Sequence, residues 1–194
     1  MTRRAALGAL LILAAGAAPA QDVRPADMER LAYTDEHFGR AMRQAMAGGT
    51  AADVESLRQA LSGSATGGID PAGDWTCRTI KIGGMAPLIV YGPFRCRIGT
   101  VEPGIWQIDK VTGSQRLSGR IEATQAGLVY TGVGFVGDAP ATDYAGLPDT
   151  PDPVEPNQTY AQVGLLEMTS PDQGRLLLPA PILESRFDVL ELTR

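Results

Sequence analysis

The sequence predicts a mainly β protein with an N-terminal α-helical hairpin, its strands forming an antiparallel up-and-down barrel or barrel-like meander of about eight strands. Three observations predict it. After residue 73 the chain divides into short apolar or alternating runs separated by turn residues. Before residue 62 the apolar residues recur instead at three-and-four spacing. The only cysteines, Cys77 and Cys96, flank the turn-forming stretch Gly83-Gly84-Met85-Ala86-Pro87, as the two arms of a hairpin would.

Residues 1–20 follow the order of an export signal. Arg3 and Arg4 lead, Ala5 to Ala17 are apolar, and Ala18-Pro19-Ala20 is a small-residue cleavage site before Gln21. That run is too short to cross a bilayer, and no later stretch approaches a span. A periplasmic or secreted protein, with no integral membrane segment after signal removal, is therefore expected. Thr2-Arg3-Arg4 leaves the export route open, and no cysteine follows the signal to carry a lipid anchor. Removing 1–20 takes away two arginines and no acid, moving the formal net charge from −5 to −7. So acidic a chain is a poor partner for nucleic acid.

Residues 21–61 read as a helical N-terminal segment. From 26 to 47, Met28, Leu31, Ala32, Phe38, Ala41, Met42 and Ala45 line one face, with Gly39 as a weak point and Gly48-Gly49 as the stop. A second helix starts at the N-cap Thr50 and carries Val54, Leu57 and Leu61. This stripe needs cover, so the helices are expected to pack on the strands. Residues 62–73 are rich in Gly, Ser and Ala and read as a linker into a β domain at 74–194.

Expected strands are 74–82, 88–98, 104–110, 115–122, 127–136, 159–168, 174–179 and 185–192. Turn chemistry lies between them, as in Ser170-Pro171-Asp172-Gln173-Gly174. Sequential strands joined by tight turns favour a meander, and closing it into a barrel removes the exposed edges. One connection is different: 137–157 is proline-rich, has no strand pattern, and holds Asp138, Asp143, Asp149, Asp152 and Glu155 with no lysine or arginine. Loops of that length are usually functional or mobile. Tyr144 and Leu147 within it look exposed.

In an exported chain with no CxxC and no cysteine–histidine cluster, Cys77 and Cys96 are expected to form a disulfide. Directly opposed, they would place Trp75 across from Ile98 and Thr79 across from Phe94 on a core face. Arg78 would then face Arg95, and Thr76 would face Arg97, on the reverse. Like charges across a ladder repel, so Arg78, Arg95 and Arg97 read as a solvated face, an anion or carboxylate site, or a seat for the acidic loop. No catalytic residue and no metal or cofactor site is expected. His37, the single histidine, sits among Asp35, Glu36 and Phe38 with no nucleophile in context, and zinc finds no ligand set. Glu167, Glu184, Asp188 and Glu191 are the acids from which a hydrolytic pair could be drawn. Gly132-Val133-Gly134 reads as a strand bend or bulge rather than a phosphate loop.

The run Gly73-Asp74-Trp75-Thr76-Cys77-Arg78-Thr79-Ile80-Lys81-Ile82-Gly83-Gly84, with Tyr91-Gly92-Pro93-Phe94-Arg95-Cys96-Arg97-Ile98, resembles a bacterial exported family catalogued as a domain of unknown function, number 4893. The likeness covers most of the mature chain, through Phe187-Asp188-Val189-Leu190-Glu191-Leu192, and implies no catalytic residues. The Gly-x-Trp opening strand, early disulfide and final Leu-x-Arg are also similar to small metalloprotease-inhibitor, lipocalin-like barrels, which inhibit through a segment ahead of the barrel. Together these features lead us to expect a non-catalytic binding module for an unknown small molecule or protein. The alternatives are a periplasmic protease inhibitor and a carboxylate-dependent hydrolase.

Overall fold

The structure, a computed structural model, describes residues 22–194. The expected signal peptide, 1–20, lies outside the described residues. Eight strands, each antiparallel to the next, close into one barrel when the last pairs with the first. They are β1 (Gly73–Ile82), β2 (Leu88–Glu102), β3 (Ile105–Lys110), β4 (Gln115–Thr124), β5 (Gly127–Val136), β6 (Tyr160–Ser170), β7 (Gln173–Pro179) and β8 (Phe187–Thr193). Every expected run is a strand. Every connection but that from β5 to β6 is too short for a crossover, and β6 returns beside β5 across its longer loop, so the order in space is the order in sequence.

Among the described residues three helices precede the barrel: α1 (Pro25–Ala32), α2 (Thr34–Gly48) and α3 (Ala51–Ala60). The break in the first helical run falls at Tyr33 rather than at Gly39, which stays inside α2. The Thr34 hydroxyl donates to the Leu31 carbonyl at 2.7 Å, a local bond that competes with the helical ladder. Gly39 costs only its intrinsic propensity, about 1 kcal/mol relative to alanine. Thr50 caps α3 by accepting from the Asp53 amide. No helix among the described residues is long and apolar enough to cross a membrane.

The described residues form three cores, one inside the barrel wall and two outside it, under the helices and under the loop 137–157. Inside, Trp75, Cys77, Cys96, Ile98, Ile108, Ile121, Tyr130, Met168, Leu190 and Leu192 fill the lumen. Outside, Ile80, Ile82, Leu88, Phe187 and Val189 meet Ala41, Ala45, Leu57 and Ala60 of α2 and α3, with Phe38 edge-on to Phe187 at 5.2 Å. The helices are therefore packed on the wall. β2 contributes to the inner core and to the one under the helices because its register shifts against β1 between Arg78 and Ile80, so β2 carries the extra residue. That bulge turns Leu88 and Val90 outward although they share parity with the inward Phe94 and Cys96.

Cys77 and Cys96 are bonded, with Cα atoms 5.8 Å apart. The register differs from the expected one by two residues: Trp75 is opposite Cys96, and Cys77 is opposite Phe94. A disulfide tolerates Cα separations across a range wide enough for diagonal neighbours, so the pair need not face directly. A shift of two preserves the face of every side chain. It changes the arginines' neighbours, however: Arg95 is opposite Thr76, Arg97 opposite Asp74, and Arg78 opposite Pro93. Replacing both cysteines by serine is expected to cost about 3 kcal/mol by freeing a loop of this length in the unfolded chain. A circular-dichroism melt should then show Tm lower by roughly 6–12 °C.

Residues 62–72 do not hang between two modules. They lie against one end of the barrel, where the Thr66 amide donates to the Met168 carbonyl and Ile69 packs on the inner core. Trp75 Nε1 donates to the Pro71 carbonyl, and Trp106 Nε1 to Asp70, each at 2.9 Å. The loop 137–157 is likewise anchored. Tyr144 and Leu147, expected exposed, are buried against Val133, Phe135, Ala161 and Val163, because the wall there presents apolar residues outward with no helix over them except Leu31.

Candidate functional site

Strand alternation carries the inward positions of β1 from Trp75 and Cys77 to Thr79 and Lys81, and the lumen changes character there. Its end nearest residues 62–72 is apolar, whereas the opposite end is lined by Thr79, Lys81, Lys110, Gln115, Gln162 and Asp188. Lys81 and Lys110 are the only lysines in the chain, which otherwise uses arginine for every cation. Both are buried, at 5% and 6% exposure. Ammonium groups are among the side chains least often buried, because desolvating them is costly.

The two amines have different partners. Lys81 Nζ donates to Gln115 Oε1 and to Glu184 Oε2, both at 2.6 Å. Lys110 Nζ donates to the Gln115 carbonyl at 2.5 Å and sits 3.8 Å above the Phe94 ring. Among the described residues no carboxylate lies within ion-pair distance of it. Burial, with repulsion from Arg116 and Lys81, pushes the Lys110 amine down to about 8.

The acids of the mouth are also perturbed, in opposite directions. Burial pushes Asp188 up to about 6 even though Ser185 Oγ donates to it at 2.5 Å and Lys81 favours its charge. Glu184 lies below its usual value, chiefly through the hydrogen bond from Lys81. Its backbone has φ 68°, a left-handed conformation that side-chain-bearing residues rarely take. That conformation is held where the Met85 amide donates to the Glu184 carbonyl. A fifth group differs in being unsatisfied: Gln162 Oε1 is buried with no hydrogen-bond partner.

Above these groups is a cleft of about 310 Å³ bordered by Thr79, Tyr91, Phe94, Ser114 and the two lysines. A larger apolar concavity, about 470 Å³, lies at the other end between Ile69, Trp106, Leu128 and Met168. We place the site at the smaller one, because both buried lysines border it and the narrow recess of about 30 Å³ they share with it is lined by Asp188 and Gln162. A folded pKa above the unfolded one means that Asp188 disfavours folding once it ionises. Stability from this group is undiminished below about 4 and falls as pH rises toward 6. Asp188→Asn keeps an acceptor for Ser185 and should therefore stabilise the protein above pH 6, by up to about 3 kcal/mol, while changing nothing near pH 3.5. Melting temperatures of both proteins from pH 3.5 to 8 check this.

The arginines singled out in the sequence lie elsewhere, on the outer face of β1 and β2. Arg78 pairs with Glu191 at 2.7 Å and Arg97 with Asp74 at 2.9 Å. Arg95 is exposed, and its backbone amide donates to Thr112 Oγ1. With Arg97 and Arg194 it borders a shallow concavity of about 390 Å³. Among the described residues none of the three forms an ion pair with an acid of 137–157; Asp138 pairs instead with Arg116. Of the four late acids, Glu167 is taken by Arg175 and Glu191 by Arg78, leaving Glu184 and Asp188 in the mouth. No group of three metal-ligating side chains occurs among the described residues.

Sequence reasoning named Glu184 and Asp188 but missed the lysines. The signal was available: two lysines in a chain rich in arginine, one at an inward strand position and one at a strand end beside a turn. A family model described as "Domain of unknown function (DUF4893)" matches residues 20–192, and the chain belongs to that family. No curated protein and no solved structure matches it.

Proposed function

We propose that this member of a family of unknown function is an exported, non-catalytic binding module whose barrel mouth takes a small ligand bearing a carboxylate or similar anion. One observation carries the reading: the chain's only two lysines are buried together there, and Lys110 lacks an anionic partner among the described residues. Such a group lowers stability unless something compensates it, which supports selection for occupancy rather than for folding. Gln162 Oε1 offers an acceptor for the uncharged part of the same ligand. Export is supported by residues 1–20 and by a disulfide of the kind that persists in oxidising compartments. The outer face at Arg78, Arg95 and Arg97 is a weaker candidate for the same ligand class, because two of its three guanidiniums already hold carboxylates.

The test is a thermal-shift and calorimetric panel of acetate, propionate, benzoate and phosphate on purified protein and on Lys110→Met. Saturating ligand should raise Tm in the wild type by mass action and not in the variant. No stabilisation by any anion, or equal stabilisation of the variant, overturns the reading. The hydrolase reading keeps one observation, the opposed shifts of Glu184 and Asp188, the pattern expected of a base and an acid. Turnover of an ester or glycoside panel that Glu184→Gln abolishes would favour it. The inhibitor reading needs a free segment ahead of the barrel, and 25–60 is instead packed on the wall.

A further inference from the structure

We infer that Lys110 is a covalent capture site, forming a reversible imine with small aldehydes or ketones that enter the barrel mouth. The inference deepens the binding reading and rests on it, naming carbonyl compounds as the ligand class.

An amine captures a carbonyl only if it is reachable, uncharged for part of the time, and not committed to a carboxylate. Lys110 meets these conditions and Lys81 does not. Both border the cleft of about 310 Å³. Lys81 is already committed, its Nζ donating to Gln115 Oε1 and to the Glu184 carboxylate at 2.6 Å each. Lys110 has one carbonyl acceptor and an aromatic face, and its cationic neighbours Lys81 and Arg116 disfavour a third charge. The lowered position of its amine, about 8, agrees with that geometry. At pH 8 about half of the Lys110 side chains are then neutral, where an ordinary lysine has well under a hundredth.

The chemistry needs no co-reactant. The neutral Nζ lone pair adds to the carbonyl carbon as the C=O π pair moves onto oxygen. One proton passes from nitrogen to that oxygen to give a carbinolamine. Loss of water then forms the C=N bond, so amine plus carbonyl become imine plus water. The titratable groups around this nitrogen are Lys81 on β1, Tyr91 on β2, Arg116 on β4, Tyr160 on β6, Asp188 on β8 and Glu184 in the turn before it. Phe94 shields the nitrogen on one side. Gly113 lets the β3–β4 turn close over it, since a Cβ there would come within 2.9 Å of Lys110 Nζ.

The chain's lysine content makes the test clean, since Lys81, Lys110 and the amino terminus are the only primary amines. Folded protein is incubated with glyoxylate and sodium cyanoborohydride, which reduces any imine to a stable carboxymethyl-lysine, and the adduct is located by peptide mass mapping. The expected result is one carboxymethyl group on Lys110, at least tenfold ahead of Lys81. Its rate should rise with pH to half-maximum near 8, and it should disappear in urea-unfolded protein as a preference. Modification confined to the amino terminus, or equal at the two lysines, overturns the inference. Acetate, isosteric in its carboxylate but without a carbonyl to capture, separates the two readings. If acetate raises Tm while glyoxylate leaves no adduct, the mouth binds anions and the imine is wrong. If neither acts, both fail. Lys110→Arg retains the charge, so it should lose the adduct while keeping any anion-induced rise in Tm.

Discussion

Gly132→Val is expected to lower stability by about 3 kcal/mol or more, the upper range for overpacking that must move backbone. Gly132 on β5 is paired directly with Gly119 on β4, and both point into the lumen between Tyr130 and Ile121. A Cβ at 132 would stand 2.5 Å from Tyr130 Oη, 2.7 Å from Gly119 Cα, and closer still to the Ser118 carbonyl oxygen. Two of those atoms are backbone in a paired strand and have nowhere to go. The tyrosine ring occupies the volume that the two glycines leave, and it is fully buried there. Chemical denaturation should show a midpoint shift for Gly132→Val and less than about 0.5 kcal/mol of change for Gly99→Ala. Gly99 is the control because a Cβ there meets nothing within 4 Å.

Asp27→Ala is expected to cost about 3–5 kcal/mol, the range for removing one partner of a buried ionic cluster. Asp27 is 2% exposed and holds two guanidiniums: Arg24 at 2.7 Å and Arg30 at 2.8 Å. The Tyr144 hydroxyl donates to it at 2.7 Å, which ties the loop 137–157 to α1. Arg24 reaches the Pro148 carbonyl, and Arg30 the Ala161 and Pro179 carbonyls, so one carboxylate organises α1, the loop and the ends of β6 and β7. Burial alone would raise its pKa, but the bonds from Tyr144, Arg24 and Arg30 outweigh it and the net shift is downward. Stability from a lowered acid is present above the unfolded value near 3.8 and is lost as pH falls through the folded one. Wild type should therefore approach the variant only under strong acid. At pH 7, limited proteolysis should cut the variant within 137–157 well before the wild type, because the loop loses its tether while the barrel persists.

Much of the architecture was legible because each signal was local. Thr50 before an apolar stripe, turn residues between β runs, and one cysteine on each side of a turn act through neighbours a few residues away. Where the expectation missed, the deciding interaction was distant in sequence. Tyr144 and Leu147 read as exposed because their covering partners, Phe135, Ala161 and Val163, belong to the strands on either side of a twenty-residue loop. The helix break at Tyr33 depended on one threonine hydroxyl. The Cys77–Cys96 register differs by two because the hairpin closes at Ile82 opposite Leu88, and the extra residue in β2 restores only one position of the offset; no alternation in that segment announces either. Once the register moved, Arg78, Arg95 and Arg97 were no longer stacked against one another, and two of them had acids to hand on β8 and β1.

By itself the sequence determined the eight strands and their order, the helical lead-in and the disulfide. Periodicity, turn chemistry and cysteine count report on short stretches of chain, and a meander asks for nothing longer. Where the chemistry sits depends on contacts between distant parts of the chain. Closure of β8 on β1 brings residues 81, 110, 115, 162, 184 and 188 from four separate stretches of the chain to one end of one lumen. Their burial, and hence the shifted protonation of Lys110 and Asp188, exists only once that closure excludes water.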